Sequence, residues 1–424
     1  GWNEAALTSL SSSDYTCIKP VLFELYSKLT QTKTTLSLPS LRIDTIDNDL
    51  IKLLNSMNQT GLTVAPEAGT QRLRNIINKN ISEDDIIKAV KIALDSGWKV
   101  IKLYFMIGLP FEKDSDVQGI IKLINKIIEI TKKRIKINVT ISPFVPKTFT
   151  PFQWAGMDNK ESLQEKAHTI KNTFIRFKFI KIRYHEISSS ILECVLGRGD
   201  RKIGKLIYSA YKKGAIYDGW LEYFNFQIWE QASVDLGLDF ESYLFPIPLK
   251  SKLPWDHIDI GINKDFLISE WEKAKQEIYT EDCRNGKCSG CGVCEKGISP
   301  EYVQKTKIQK LGIVEKRNQQ SKSNFFYRVF YSKMKEMRFV AHLDLIRMTQ
   351  TFMRASGLPI VYTQGFKIHP KLNFGPPLSV GIQGENEYFD FALFQKYEIQ
   401  KLETILKKNM PSQITLHKIL PIQS

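Results

Sequence analysis

The chain has 424 residues, 42% of them hydrophobic, enough for two or three folded units with substantial cores. It holds no apolar run of roughly 18 residues without charge, and Gly1-Trp2-Asn3-Glu4 is not a signal peptide. A membrane-spanning helix is therefore excluded, and a cytoplasmic protein whose chain begins mid-gene is expected. Sixty lysines and arginines against 45 acidic residues give a formal charge of +15. That balance favours a polyanionic partner such as RNA, although a composition crowded with Ile, Lys and Asn also supplies lysines without one. Four of the six cysteines fall within residues 283–294, a clustering that argues for a metal site over a disulfide scaffold.

Residues 5 to 145 alternate short apolar runs with longer amphipathic ones, the pattern of a parallel sheet wrapped by helices. Strands are predicted at 5–10, 35–38, 61–65, 100–107 and 136–141, each apolar or β-branched. Ser82 with Asp85 predicts a capping box, Glu83 and Asp84 suit the positive helix start, and Gly97 stops the helix. A second helix follows Asp116, with Ile120, Ile121, Leu123, Ile124, Ile127 and Ile128 as its apolar stripe. In such a sheet the C-terminal strand ends share one rim, where ligands bind. The segments on that rim are Ser11-Ser12-Ser13, Pro66-Glu67-Ala68-Gly69-Thr70, Gly108-Leu109-Pro110 and Pro143-Phe144-Val145-Pro146.

Residues 160–280 read as mostly helical with aromatic-rich patches, 301–324 as a polar, lysine-rich linker, and a new α+β pattern begins near Phe325. Cys283, Cys288, Cys291 and Cys294 form C-x4-C-x2-C-x2-C, interleaved with Gly286, Gly290 and Gly292. Two-residue gaps let neighbouring thiolates converge, and glycines permit the tight backbone. Four thiolates suit either zinc or an iron–sulfur cluster. Cys17 and Cys194 stand alone and read as core residues.

The run from Thr63 through Pro66-Glu67-Ala68-Gly69-Thr70 and Asn78-Lys79-Asn80 to Met106-Ile107-Gly108-Leu109-Pro110, with Ser142-Pro143-Phe144-Val145-Pro146-Lys147, resembles radical S-adenosylmethionine enzymes. The branch it is most similar to often carries an N-terminal cobalamin-binding domain. The resemblance spans residues 1 to 295 and implies a partial (β/α) barrel in which the first strand here is the family's second. It implies S-adenosylmethionine and a 4Fe-4S cluster held by a CxxxCxxC loop, with a reductant such as flavodoxin or ferredoxin. No CxxxCxxC occurs in this chain, so alone it is not expected to start a radical. By position, Ser12 and Ser13 match the cofactor's amino-group site, Glu67 the ribose, Lys79 the carboxylate, and Met106 and Gly108 the adenine. Arg198, Asp200 and Arg201 lie in a stretch typical of the branch and are candidates for a substrate pocket or for a structural ion-pair network. By the same resemblance the four-cysteine group implies a second iron–sulfur cluster, with zinc left open.

Residues 325 to 395 resemble an uncharacterised domain fused to, or encoded beside, these enzymes. Lys367 and His369 are candidate substrate contacts there, with Arg338, Arg347, Arg354 and Lys371 for phosphates and Phe366 or Phe374 for stacking. The expected organisation is a partial barrel lacking its first strand over 1–158, a mostly helical extension over 159–280, a cysteine knuckle over 281–300, a linker over 301–324, and an α+β domain over 325–424. The expected function is modification of tRNA or rRNA by methylation or sulfur insertion. A non-catalytic RNA-binding or scaffolding module, and a radical enzyme acting on a small molecule, are the alternatives.

Overall fold

The computed structural model describes residues 4–8, 15, 17–29, 34–37, 51, 54, 61–283, 287–294, 324–363 and 369–423. The chain divides into two compact units, residues 41–52 with 60–302, and residues 1–40 and 53–59 with 303–424. No helix among the described residues is long and apolar enough to cross a membrane.

Strands β1 (Glu4–Ala6) and β2 (Thr35–Ser37) pair in parallel with each other, and helix Ile18–Leu29 lies between them in sequence. Both were expected in one sheet with the strands that follow, and the structure keeps them out of it. Three-residue strands offer few ladder hydrogen bonds and little apolar face, so their pairing depends on tertiary context more than on local sequence.

The main sheet is four parallel strands in the order β3 (Gly61–Glu67), β4 (Val100–Ile107), β5 (Lys136–Pro143) and β6 (Ile180–Tyr184). β6 lies in the segment read as helical. Its charged Lys181 and Arg183 alternate with Ile180 and Ile182, the habit of an edge strand that resists further pairing. Leu62, Val64, Ile101, Leu103, Phe105, Ile107, Ile137, Val139 and Ile141 point to one side and are buried. Helices Glu83–Asp95 and Asp114–Thr131 contribute Ile86, Val90, Val117, Ile120, Ile124 and Ile127 to the buried set. Each aliphatic side chain removed from water contributes about 1.5–3 kcal/mol before entropy is counted, so this side holds the sheet together.

The helix between β3 and β4 starts as expected. Ser82 Oγ accepts from the Asp85 amide at 3.0 Å while Asp85 Oδ2 accepts from the Ser82 amide at 2.9 Å. Gly97, at φ +75°, follows its last turn.

The opposite face of the sheet carries no such apolar set. Thr63, Lys102, Asn138 and Lys181 form one row across the four strands, and Tyr104, Thr140 and Arg183 form the next. Lys102, Tyr104, Lys181 and Arg183 are exposed and the rest are half-buried. A parallel sheet is normally covered on both faces. This one carries polar and cationic side chains on its second face, exposed at Lys102, Tyr104, Lys181 and Arg183, while Met106 nearer the C-terminal edge is half-buried.

In the other unit, β7 (Phe325–Lys333), β8 (Leu372–Phe374), β9 (Gly384–Leu393) and β10 (Ile414–Ile422) form an antiparallel sheet in the order β10-β7-β9-β8. Its core joins Tyr327, Val329, Phe389 and Phe391 to Leu345, Phe352 and Met353 of helix His342–Ala355 and to Leu402 and Leu406 of helix Ile399–Asn409.

Candidate functional site

The site grows from the end of β3. Glu67 closes the strand with φ +65°, a left-handed backbone that costs a non-glycine residue on the order of 1–3 kcal/mol. The next residues in the chain fix it there. Gly69 lies so close to helix Asp114–Thr131 that a Cβ would stand 2.1 Å from the Ile120 amide nitrogen and 2.5 Å from the Asp116 carbonyl oxygen. Gly119 makes the reciprocal approach from the helix. Thr70 caps helix Gln71–Ile76 by accepting from the Leu73 amide at 3.2 Å and donates its hydroxyl to Asp116.

Asp116 is 1% exposed and also takes the Lys113 amide at 2.8 Å and the Arg72 guanidinium. Burial alone would raise its carboxyl, but the Thr70 hydroxyl, the Lys113 amide and Arg72 outweigh that and hold it below the usual carboxylate range. Arg72 continues to Glu277 at 2.9 Å and to the Phe111 carbonyl at 3.0 Å. Arg74, fully buried, bonds the Ala68 and Ile81 carbonyls and the Gln71 side chain. This clamp returns the chain to β3, and Lys79 Nζ meets Glu67 Oε1 at 3.3 Å.

Glu67 and Lys79, paired from the sequence with different parts of one cofactor, are therefore neighbours, both partly exposed. Such a pair stabilises a fold by about 0–1 kcal/mol. That is less than the backbone strain at Glu67, so stability alone does not account for it. A carboxylate here has lone pairs left to accept from two vicinal hydroxyls, and the ammonium two protons left for a second anion. Met106 is half-buried on β4, against a cluster containing Ala68, Leu73, Leu109 and Phe144.

Gly108 turns at φ +74°. Its amide donates to Glu112 at 2.9 Å, and a Cβ there would stand 2.9 Å from Leu163. Its close packing is thus taken up by the chain's own residues. Glu112, with a side chain 3% exposed, meets Lys166 at 2.7 Å, and Lys166 meets Asp158 at 2.6 Å. Burial pushes the Glu112 carboxyl up in spite of Lys166 and the Gly108 amide. Asp116, Arg72, Glu112 and Lys166 were not singled out from sequence. The one signal was spacing, an acid four residues beyond Gly108 and another at the third position of the following helix.

Ser12, Ser13 and Lys367 lie outside the described residues. Arg198, 4% exposed, donates to the Tyr243 and Phe245 carbonyls, both at 3.0 Å, and fastens that segment to helix Ile187–Arg198. Asp200 accepts from the Lys202 amide at 2.8 Å at the start of helix Lys202–Lys212, and Arg201 is exposed. His369 is exposed beside Thr363, whose hydroxyl accepts from its amide at 3.2 Å. Cys194 is buried, which pushes its thiol up, and Cys17 is half-buried.

Of the four-cysteine segment, residues 283 and 287–294 are described. Cys283, Cys288 and Cys294 are exposed and Cys291 half-buried, and among the described residues no three His, Cys, Asp or Glu side chains gather as a metal site. Converging thiolates repel one another unless a cation joins them, so the backbone alone does not close the group. The local turns nevertheless fit thiolate chemistry. Gly290 and Gly292 take φ +71° and +89°, and the Gly290 amide donates to Cys288 Sγ at 3.4 Å. These cysteines do not fit the catalytic cluster, whose CxxxCxxC spacing the chain does not contain.

Comparison with known proteins places this geometry. Residues 12–124 match the radical SAM superfamily, and residues 327–424 match a family described as an uncharacterized protein conserved in bacteria, DUF2344. An uncharacterized protein of Methanocaldococcus jannaschii is 35% identical over 233 residues, which is 53% of this chain and 49% of that protein. A candidate methylthiotransferase of the same organism is 24% identical over 148 residues, 34% of this chain and 32% of the relative. The chain spans about half, or less, of the length of these curated relatives. The radical SAM match thus spans β3, β4 and the Glu67 turn, and the match to the second family spans most of the antiparallel sheet.

Proposed function

We propose that this chain is the cofactor-cradling part of a radical S-adenosylmethionine enzyme that modifies RNA. The observation that carries the reading is the strained Glu67, paired with Lys79 at the C-terminal end of β3. Glu67 would accept from the ribose hydroxyls, Lys79 would hold the cofactor's carboxylate, and Met106 would supply an apolar surface for the adenine. Bound S-adenosylmethionine supplies a methionyl sulfur and an adenosyl carbon for homolysis. The cluster that delivers the electron is not ligated by this chain's cysteines. The cobalamin association rests on motif resemblance alone.

The likeness to a candidate methylthiotransferase supports transfer of sulfur together with a methyl group. RNA as substrate draws on the +15 charge and on exposed Tyr208, Tyr211, Tyr217, Trp220 and Tyr223 near Lys205 and Lys212. Rings and cations interleaved in this way suit single-stranded bases and their phosphates. The four-cysteine segment is proposed to close around zinc or a second cluster, with flavodoxin or ferredoxin as reductant.

Equilibrium dialysis of the full chain against S-adenosylmethionine tests the cradle. Saturable binding is expected, weakened at least tenfold in Glu67→Gln. No saturable binding, or equal binding by the variant, sinks the assignment. RNA binding across a salt series should weaken steeply, and salt-independent or undetectable binding removes RNA as partner.

A further inference from the structure

The antiparallel unit runs strand, helix, strand, strand, helix, strand, and its two central strands are β7 and β9. Helices His342–Ala355 and Ile399–Asn409 both pack on the face that carries Tyr327, Val329, Phe389 and Phe391. Successive side chains alternate across a strand, so Phe326, Arg328 and Phe330 of β7 and Tyr388 and Asp390 of β9 lie on the other face. That second face is accessible. Phe326, Phe330 and Tyr388 are half-buried, the Arg328 side chain is 34% exposed, and Lys371, Asn373, Lys418 and Leu420 around them are exposed.

A solvated face of an antiparallel sheet ordinarily carries plain polar side chains. Here the central strands place aromatic rings on it, each beside a cation. Phe330 and Tyr388 are directly paired, with ring centres 6.2 Å apart. Lys418 of β10 pairs with Phe330 from the other side and holds its Nζ 4.6 Å from that ring. The Lys371 Nζ lies 5.8 Å from the Phe326 ring. Arg328 lays its guanidinium 4.1 Å from the Tyr388 ring centre and is fixed there by Asp390 at 2.7 and 2.9 Å. Asp390 is thereby neutralised, while among the described residues Lys371 and Lys418 form no ion pair.

We propose that this open sheet face binds single-stranded RNA. The rings of Phe326, Phe330 and Tyr388 and the guanidinium plane of Arg328 offer unpaired bases flat surfaces to stack on. The exposed Lys371 and Lys418 ammonium groups then swing from the rings to backbone phosphates. Stacking needs unpaired bases, so a duplex does not fit. An acidic peptide would use the two lysines and leave the rings without a purpose. The choice of RNA rests on the function proposed above. The face itself is separate from the tyrosine-rich surface named there, so either surface can fail while the other stands.

Fluorescence anisotropy of a labelled oligouridylate with the full chain tests it. The wild type should bind, and Phe330→Ala should bind at least tenfold more weakly while still melting cooperatively. Trp220→Ala separates the two surfaces. Binding weakened by Trp220→Ala but not by Phe330→Ala overturns the sheet face and keeps RNA as partner, whereas no binding by the wild type overturns both. Should Phe330→Ala fail to fold, Lys418→Gln decides from an exposed position. The slope of log affinity against log salt should fall by about 0.7, the share of one phosphate on a single strand, and an unchanged slope overturns the proposal. Equal competition by duplex RNA or by polyglutamate removes stacking as the basis and overturns it too. Self-association of the wild type that is lost in Phe330→Ala would assign the face to a second copy of the chain and likewise overturn it.

Discussion

Replacing Gly69 by alanine should unfasten the Glu67 turn from its helix. The added carbon would stand 2.1 Å from the Ile120 nitrogen and 2.5 Å from both the Asp116 oxygen and the Gly119 carbon. All three are backbone atoms of a helix anchored by Ile120, Leu123, Ile124 and Ile127, so no side chain can swing aside. Overpacking of this sort costs about 1–3 kcal/mol. Moving the turn away also weakens the hydroxyl bond from Thr70 to ionised Asp116, of a class worth about 1.5–3 kcal/mol. Together, with partial relaxation, they give a loss of about 3–5 kcal/mol. Gly204 provides the control. It lies within helix Lys202–Lys212 with nothing within 4 Å of its Cβ position, so Gly204→Ala should stabilise by about 0.4–1 kcal/mol. Apart from Trp2 every tryptophan lies between residues 98 and 271, so urea unfolding followed by tryptophan fluorescence reports on the unit that holds both sites. A Gly69→Ala midpoint indistinguishable from that of Gly204→Ala would refute the close approach.

Two further outcomes come from the charges. Lys166→Met leaves Glu112 buried with the Gly108 amide as its remaining partner, at a cost of about 2–4 kcal/mol at pH 7, less than for a fully buried pair because Lys166 is partly exposed. The folded-state pKa of Glu112 is raised, so its contribution to stability is largest below the unfolded value near 4.3 and is lost as pH rises through the folded value. The deficit of Lys166→Met should therefore shrink on acidification from pH 7 toward 5, and thermal melts showing a constant deficit would contradict the burial of Glu112. For the cysteine segment, anaerobic loading should give one zinc or one iron–sulfur cluster per chain, halved or worse in Cys288→Ser. Unchanged metal content in that variant would show that the thiols do not act as a set.

Patterned features were the readable ones. The capping box at Ser82, the stop at Gly97 and the apolar stripe after Asp116 were legible because each depends on contacts within a few residues. β6 was missed because a five-residue strand with alternating Lys181 and Arg183 is too short to stand out from the helices on either side of it. Among candidate site residues, Glu67 and Lys79 were separately visible, but their pairing was not. It depends on Arg74 folding twelve residues back on themselves through carbonyls that any sequence possesses. Asp116 looked like an ordinary helix-start acid, and nothing local shows that Thr70 and Arg72 reach it from 46 and 44 residues away.

The Glu67 turn differs from the structural ion pairs around it. At Asp116 and at Glu112 every buried charge is met by a partner within the fold, and the result is rigidity. At Glu67 the backbone is strained and the ion pair is too exposed to offset the cost, so the neighbouring network must hold the residue in place. Gly69 against the helix, Thr70 and Arg72 on Asp116, and Arg74 across Ala68 and Ile81 are that network, and none of them competes for the Glu67 carboxylate. Strain held at one strand end by such a network is free energy placed where a ligand can use it. That is why binding measurements, more than stability, will distinguish Glu67 from the rest of the charged residues in the chain.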